Sequence, residues 1–246
     1  MSDKQVYSVV DGPIMKIIID NPEMKNGTNY IGTNQFADCL EELNANPNIK
    51  VGIITGNDEY FWTGGRVDPN NPGEQEKYSA GIARFEKVRA ENKVPLIAAV
   101  NGDCLKAGMG MIADCDFAIA RKGVIFGFPE VRMGGVPMMV MQNTIFTMPK
   151  KRALEAYLTS WNFSAEDAYM MGLVNKVVEK ADFWPTVDKY ARIFLDTPPI
   201  IVEMTRRAFS EMYKIKDDKV RAEFAMNMLR DEVLPAMTKV KTQYNI

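Results

Sequence analysis

The residues best placed to do chemistry fall in three short stretches, and only one of them ends in a carboxylate. Phe126-Gly127-Phe128-Pro129-Glu130 sets a glutamate behind a proline and two aromatic rings. Tyr60-Phe61-Trp62-Thr63-Gly64-Gly65-Arg66 carries paired glycines, which let backbone approach a ligand closely and leave N–H groups to bind it. Asn101-Gly102-Asp103-Cys104-Leu105-Lys106-Ala107-Gly108-Met109-Gly110 reads as a strand-end turn entering a helix. Small residues there present unpaired N–H donors at the positive end of the helix dipole. Two such donors converging on a carbonyl would make an oxyanion hole, and a carboxylate beside it would carry a proton. Each stretch alone has a plainer reading, as a turn or as a loop with a solvated carboxylate. Their order and spacing carry the argument.

Composition narrows the chemistry. Histidine is absent from all 246 residues, so no His-based triad and no His-ligated metal exists within the chain. Acid–base work falls to carboxylates, Lys, Tyr or Cys, and no metal site is expected. Cys39, Cys104 and Cys115 form no CxxC pair and read as reduced, mostly buried thiols. A formal charge of −2, with both signs interspersed, leaves no basic footprint for nucleic acid. The longest apolar runs, such as 96–100 and 136–141, fall short of the roughly 18 residues a membrane span requires. No charged-then-apolar leader follows Met1, so a cytoplasmic location is expected.

The elements that must position these stretches alternate. Tyr7–Val10 and Ile14–Asp20, parted by Asp11-Gly12-Pro13, predict a hairpin. Helical spacing covers 30–43, stopped by Asn44-Ala45-Asn46-Pro47. Val51–Thr55, Pro95–Val100 and Phe117–Ala120 read as buried strands, the first closed by Gly56-Asn57-Asp58, with helices at 78–92 and 107–114 between them. Residues 66–76 read as a loop. Beyond 135 the pattern predicts helices at 136–146, 150–158, 165–171, 181–195, 199–213 and 217–240, interrupted by a strand at Leu173–Val178. Strands alternating with helices indicate parallel βαβ units, and no fixed repeat period is evident.

Taken together, the stretches resemble the crotonase family, also called the enoyl-CoA hydratase/isomerase superfamily, from about Ile14 to Lys180. Pro95-Leu-Ile-Ala-Ala-Val-Asn-Gly102 is similar to the family's P-(V/L)-I-A-A-(V/I)-x-G strand, and Phe126–Glu130 to its F-G-x-P-E run. Ser164-Ala165-Glu166-Asp167-Ala168 through Gly172-Leu-Val-Asn175 is similar to its S-A-x-x-A…G-L-V-x segment. The resemblance implies an α/β fold: a β/α spiral core over 1–195 and a helical C-terminal trimerisation region over 196–246. It implies an acyl-thioester substrate, carried by coenzyme A or by the phosphopantetheine of an acyl carrier protein, with no further cofactor, and assembly as a homotrimer or hexamer. It places the oxyanion donors at the N–H groups of Gly65 and Ala107 and the acid–base carboxylate at Glu130. Residues near Met24, Lys25 and Val67 match loops that hold the nucleotide end of coenzyme A; Lys25 is either a phosphate contact or a solvated surface lysine.

The departures are as informative. Where the family has its first catalytic glutamate the chain has Gly110, and Lys106 replaces a glycine of the oxyanion turn. Arg66 replaces an aspartate, Thr63 an alanine, and Met138-Met139-Val140-Met141 a glycine-rich stretch. Family hydratases hold water between two glutamates. Family isomerases manage with one at the Glu130 position, moving an allylic proton while the oxyanion hole carries a dienolate. The expected activity is therefore that of a single-glutamate enoyl-thioester isomerase or hydro-lyase, with the Glu130 pKa raised by an apolar pocket. A narrower resemblance links Lys106–Asp116 to dehydratases of polyketide β-branching and Thr55–Gly65 to their partner decarboxylases. It admits decarboxylation, with Arg66 or Lys106 pairing a substrate carboxylate; solvent exposure is the plainer fate of either. A non-catalytic thioester-binding member is the third possibility. Met109, Met111, Met133, Met138, Met139 and Met141 read mainly as core, some lining an adaptable acyl pocket. Trp62 and Tyr78 are further wall candidates.

Overall fold

The structure, a computed structural model, describes residues 4–57, 59–68 and 70–244. Asp58 of the predicted turn and Pro69 of the predicted loop lie outside the described residues. The chain forms two compact units, Met1–Ala191 and Arg192–Ile246.

In the first unit, β1 (Val6–Asp11) and β2 (Ile14–Ile19) pair antiparallel through a two-residue turn, with Gly12 at φ +55°. Along β2, Met15, Ile17 and Ile19 are fully buried while the residues between them are half-buried, the period of two that seats one face on a core. α1 (Tyr30–Ala45) starts at Asn29, whose side chain accepts the N–H groups of Ile31 and Gly32. β3 (Val51–Gly56), β5 (Leu96–Val100), β7 (Phe117–Arg121) and β10 (Lys176–Val178) continue the sheet in parallel, in the order β1-β2-β3-β5-β7-β10. Every residue of β3 and β5 is buried, which explains their uninterrupted apolar runs.

A second sheet was not anticipated. It comprises β4 (Tyr60–Trp62), β6 (Asp103–Leu105), β8 (Ile125–Gly127) and β9 (Phe163–Ser164), in that order. Its strands have three residues or fewer, too short for a period-two signal. Each of β3, β5 and β7 is followed within a few residues by β4, β6 or β8, so the chain turns from one sheet to the other three times in succession. β4, β6 and β8 run parallel. The three stretches with chemical potential therefore leave the same end of the same small sheet.

α2 (Pro72–Ala90) begins inside the segment expected to be loop. Asn71 accepts the N–H of Glu74 and Pro72 occupies the first helical turn, a start signal outweighed in the sequence by local Gly and Pro content. α3 (Ala107–Asp114), α4 (Met138–Thr144), α5 (Lys150–Thr159) and α6 (Ala165–Met170) follow, the last opened by a Ser164/Asp167 capping box. The strand expected from Leu173 begins only at Lys176, because the Leu173 N–H turns back to Ala168 O to close α6 behind Gly172 at φ +81°. α7 (Phe183–Asp196) begins in this unit, with Phe183 and Val187 buried, and its last residues belong to the second. The core joins both sheets: Phe36, Trp62 and Phe85 meet at ring separations of 5.1 to 5.9 Å, and Phe128 stands edge-on to Tyr157 at 4.9 Å.

The second unit contains α8 (Pro199–Lys214), α9 (Asp218–Met228) and α10 (Leu234–Tyr244). The single helix expected over 217–240 is divided by a π-helical segment, Leu229–Val233. Pro235 has no N–H to offer the preceding turn, which accounts for the change of register just before it.

Candidate active site

The site gathers at the C-terminal ends of β4, β6 and β8. Beyond β4 the chain enters Thr63-Gly64-Gly65 and forms a bridge with Thr28. The bridge uses the Gly64 carbonyl, which accepts the Thr28 N–H at 3.0 Å, and the Arg66 N–H, which donates to Thr28 O at 2.8 Å. Alternation along an extended chain then turns the intervening Gly65 N–H the other way. Beyond β6, Lys106 takes φ 53°, ψ −123°, and Ala107 opens α3, so the Ala107 N–H has no partner within the helix. The two turns are in contact: a Cβ added at Gly64 would lie 3.1 Å from Ala107 N, and one at Gly108 would lie 2.2 Å from Trp62 O. Gly65 and Ala107 are thus brought together across neighbouring strand ends. A side chain at Gly65 requires a shift, since its Cβ would fall 1.7 Å from Tyr78 Oη.

Beyond β8, Glu130 sits at the head of a 3-10 turn whose carbonyl accepts the N–H groups of Met133 and Gly135. Its Oε2 is buried without a hydrogen-bond partner. Burial raises the Glu130 pKa; a hydrogen bond from its own backbone N–H and then the nearby Lys106 ammonium offset this only in part. Lys106 responds in the opposite sense: burial and then Arg66 lower its pKa, and Glu130 opposes them. A carboxylate that gains protons readily, beside a cation that holds its own loosely, suits proton transfer.

Lys25, Gly65, Arg66, Val67 and Lys106 line one cavity of about 530 Å³. Met24 ends a 3-10 turn next to it, its carbonyl taken by the Gly27 N–H at 2.9 Å. The Lys25 carbonyl accepts the Thr63 hydroxyl at 2.8 Å, and its ammonium stands 5.8 Å from the Tyr60 ring centre. Arg66 is turned onto its own loop, donating to the carbonyls of Thr63 and Gly65 and to Thr63 Oγ1. That use of Thr63 and Arg66 as a mutual brace was not legible from either residue alone.

Ala107 lines a second, smaller cavity of about 40 Å³ that also touches Gly110 and Trp62. Trp62 is a wall, as expected, with its indole N–H held by Thr28 Oγ1 at 3.3 Å. The methionines divide: Met109 and Met111 are core, whereas Met133, Met138 and Met139 are exposed, against the expectation that most would pack inside. Missed altogether was a polar group on the wall of this cavity. Arg89 and Glu86 from α2, Asp114 from α3 and Asn143 from α4 surround it. Asp114 lies four residues beyond Gly110 on one helix face, a spacing visible in the sequence but without meaning until α2 and α4 were placed. Cys39 and Cys104 are buried with raised pKa values, that of Cys39 reaching about 11, which leaves them inert. Among the described residues no group of three or more Cys, Asp or Glu is arranged to hold a metal ion, and no helix is long and apolar enough to cross a membrane.

Comparison with known proteins agrees with this architecture. Residues 10–239 match the family model described as enoyl-CoA hydratase/isomerase. A mevalonyl-coenzyme A hydratase of Aspergillus fumigatus is 31% identical over 198 residues, covering 78% of this chain and 73% of its own length. A crotonyl-CoA hydratase of Syntrophomonas wolfei is 30% identical, covering 79% and 77% respectively. Among solved structures, human enoyl coenzyme A hydratase domain-containing protein 3 superposes with a TM-score of 0.84 at 22% identity, covering 98% of each chain. The enoyl-CoA hydratase EchA1 of Mycobacterium marinum does so at 0.80 and 26% identity, covering 95% of this chain and 90% of its own. With its alternation between two sheets and its site at three parallel strand ends, the chain is an enzyme of the enoyl-CoA hydratase/isomerase family, the crotonase superfamily.

Proposed function

We propose that the protein turns over an enoyl thioester by proton transfer through Glu130, while the N–H groups of Gly65 and Ala107 hold the thioester oxygen as charge develops on it. The observation that carries this reading is the buried, unpartnered Oε2 of Glu130, whose charge interacts with Lys106, the residue that leads into the turn presenting the Ala107 N–H. Donors fixed in advance stabilise an enolate more than the ground-state carbonyl, and losing one typically raises the barrier by about 3 kcal/mol. The reaction is an isomerisation or a hydration–dehydration. The relatives' names are those of coenzyme A enzymes, which supports coenzyme A as the carrier, with a carrier-protein thioester as the competing form. Self-association as a trimer or hexamer is supported by the exposed Phe209, Tyr213 and Met226 of the second unit.

A second reading, decarboxylation of a carboxylated acyl thioester, is favoured by Lys106, whose side chain lines the cavity that contains Gly65. One experiment separates the two. The protein and its Glu130→Gln variant are incubated with 2-enoyl, 3-enoyl and 3-methylglutaconyl thioesters in deuterated water. Glu130-dependent deuterium entry at the α or γ carbon supports proton transfer. Carbon dioxide release that survives the substitution sinks it in favour of decarboxylation.

A further inference from the structure

Gly110 leaves a gap, and the structure shows what stands at its edge. A Cβ added there would lie 3.4 Å from Asn143 Nδ2. That same Nδ2 donates to Asp114 Oδ2 at 2.9 Å. Asp114 is one helical turn beyond Gly110 on α3, and helical side chains lean toward the N-terminus of their own helix, so its carboxyl inclines back over the position Gly110 leaves bare. Arg89 Nη1 also donates to Asp114 Oδ2. Both bonds end on Oδ2, and Oδ1 is the oxygen left to take a proton. A small, partly open cavity of about 40 Å³ touches Ala107, Gly110, Asp114 and Asn143. It exceeds the roughly 10–15 Å³ a water molecule needs, and its polar wall offers the two or more partners that keep one in place.

We propose that Asp114 is the second acid–base group of the site, and that Asp114 and Asn143 hold the reacting water in the cavity beside Gly110. This rests on the reading of Glu130, Gly65 and Ala107 above and resolves it toward hydration. The water oxygen bonds to the β carbon of the enoyl thioester and one of its protons passes to Asp114 Oδ1. The electron pair of the double bond moves into the thioester as an enolate held by the two N–H groups, and Glu130 delivers its proton to the α carbon. Asp114 then releases a proton to solvent and Glu130 takes one up, which restores the starting state; dehydration is the reverse. Burial raises the Asp114 carboxyl to about 6, with Glu86 adding to the rise and Arg89, the cation facing it from α2, opposing it. α4 presents the uncharged Asn143.

The test compares the 246-residue protein with Asp114→Asn, Gly110→Ala and Glu130→Gln. Hydration of a short 2-enoyl-CoA is followed with Glu130-dependent isomerisation of the matching 3-enoyl-CoA. Asp114→Asn keeps a hydrogen-bonding partner for Arg89; it is expected to slow hydration on the order of 100-fold and to abolish the limb of the pH profile near 6, leaving isomerisation within about threefold. Gly110→Ala puts a methyl at the cavity edge, 3.4 Å from Asn143 Nδ2, without changing charge and should slow hydration alone, which covers the case in which Asp114→Asn does not fold. Hydration within about threefold of the parent in Asp114→Asn overturns the proposal, as does an equal fall of both activities, which marks Asp114 as a structural partner of Arg89. Retention of both activities by Glu130→Gln would instead overturn the reading beneath it.

Discussion

Lys106→Gly should make the protein more stable and displace its pH dependence. Lys106 holds φ 53°, ψ −123°, a conformation that glycine adopts freely and a side-chain-bearing residue does not. Strain of this kind costs about 1–3 kcal/mol. The substitution loosens the unfolded chain, which opposes the gain by roughly 0.5–1 kcal/mol. Burial of the Lys106 ammonium, the main cause of its lowered pKa, is relieved as well and acts in the same direction as the strain. The net expectation is stabilisation by about 1 kcal/mol, or a rise in Tm of roughly 2–4 °C for a chain of this size. Without the cation the Glu130 carboxyl loses the charge that moderates its rise, so its pKa moves further up. Urea unfolding at neutral pH measures the first effect, and the pH profile of Glu130-dependent deuterium exchange the second. A variant less stable than the parent by 1 kcal/mol or more would refute the strain argument. An acid limb that does not move would refute the coupling of Lys106 to Glu130.

Three further outcomes follow from the same geometry. Gly65→Ala places a methyl 1.7 Å from Tyr78 Oη and must displace either the ring or the backbone donor; kcat/KM should fall by about 10²–10³-fold, and activity within threefold of the parent would remove Gly65 from the oxyanion hole. Exchange catalysed by ionised Glu130 should fall on the acid side at a pH above the ordinary glutamate value of about 4.3, because burial raises this carboxyl; a limb at or below that value contradicts its burial. Asp114 rises from 3.8 to about 6, so its contribution to stability is complete below pH 3.8 and is lost as pH climbs through 6. Two units at 1.36 kcal/mol each amount to about 3 kcal/mol. The stability of the parent relative to Asp114→Asn should decline by that order between pH 4 and 8 in urea titrations, and a flat difference would show that the carboxyl is not perturbed.

The long strands and helices were legible because each carries its own period or run: β2 alternates, β3 and β5 are unbroken apolar segments, and α3 is bounded within a residue by its sequence pattern. The second sheet was not, because β4, β6, β8 and β9 draw their pairing from partners 22 or more residues away and present nothing periodic. That omission had a consequence at the site. The three stretches could be recognised singly, but their convergence depends on β4, β6 and β8 running parallel and ending together. Thr63 and Arg66 read as isolated departures, whereas each is the other's hydrogen-bonding partner. Asp114 and Asn143 carried no local signal because their meeting depends on the packing of α3 against α4.

The substitutions on α3 are better understood as one redistribution of charge than as separate losses. Compared with the family pattern, the helix lacks a carboxylate at Gly110 and carries an added cation at Lys106, just before its first turn. Both changes make the potential around the Ala107 N–H more positive, in the same sense as the helix dipole that ends there. A positive potential fixed before reaction stabilises an enolate oxygen more than a neutral carbonyl. The same cation lowers the basicity of Glu130, so the two effects oppose each other in the dehydration and exchange directions, where Glu130 would take the α proton and an enolate would form together. On the proposed mechanism burial of Glu130 resolves the conflict: it is the largest influence on that carboxyl, and the net rise would preserve the base while Lys106 would favour the oxyanion. On the proposed mechanism the N–H donor comes from the following residue, Ala107, so the turn would not depend on glycine at 106, where Lys106 lines the cavity of about 530 Å³.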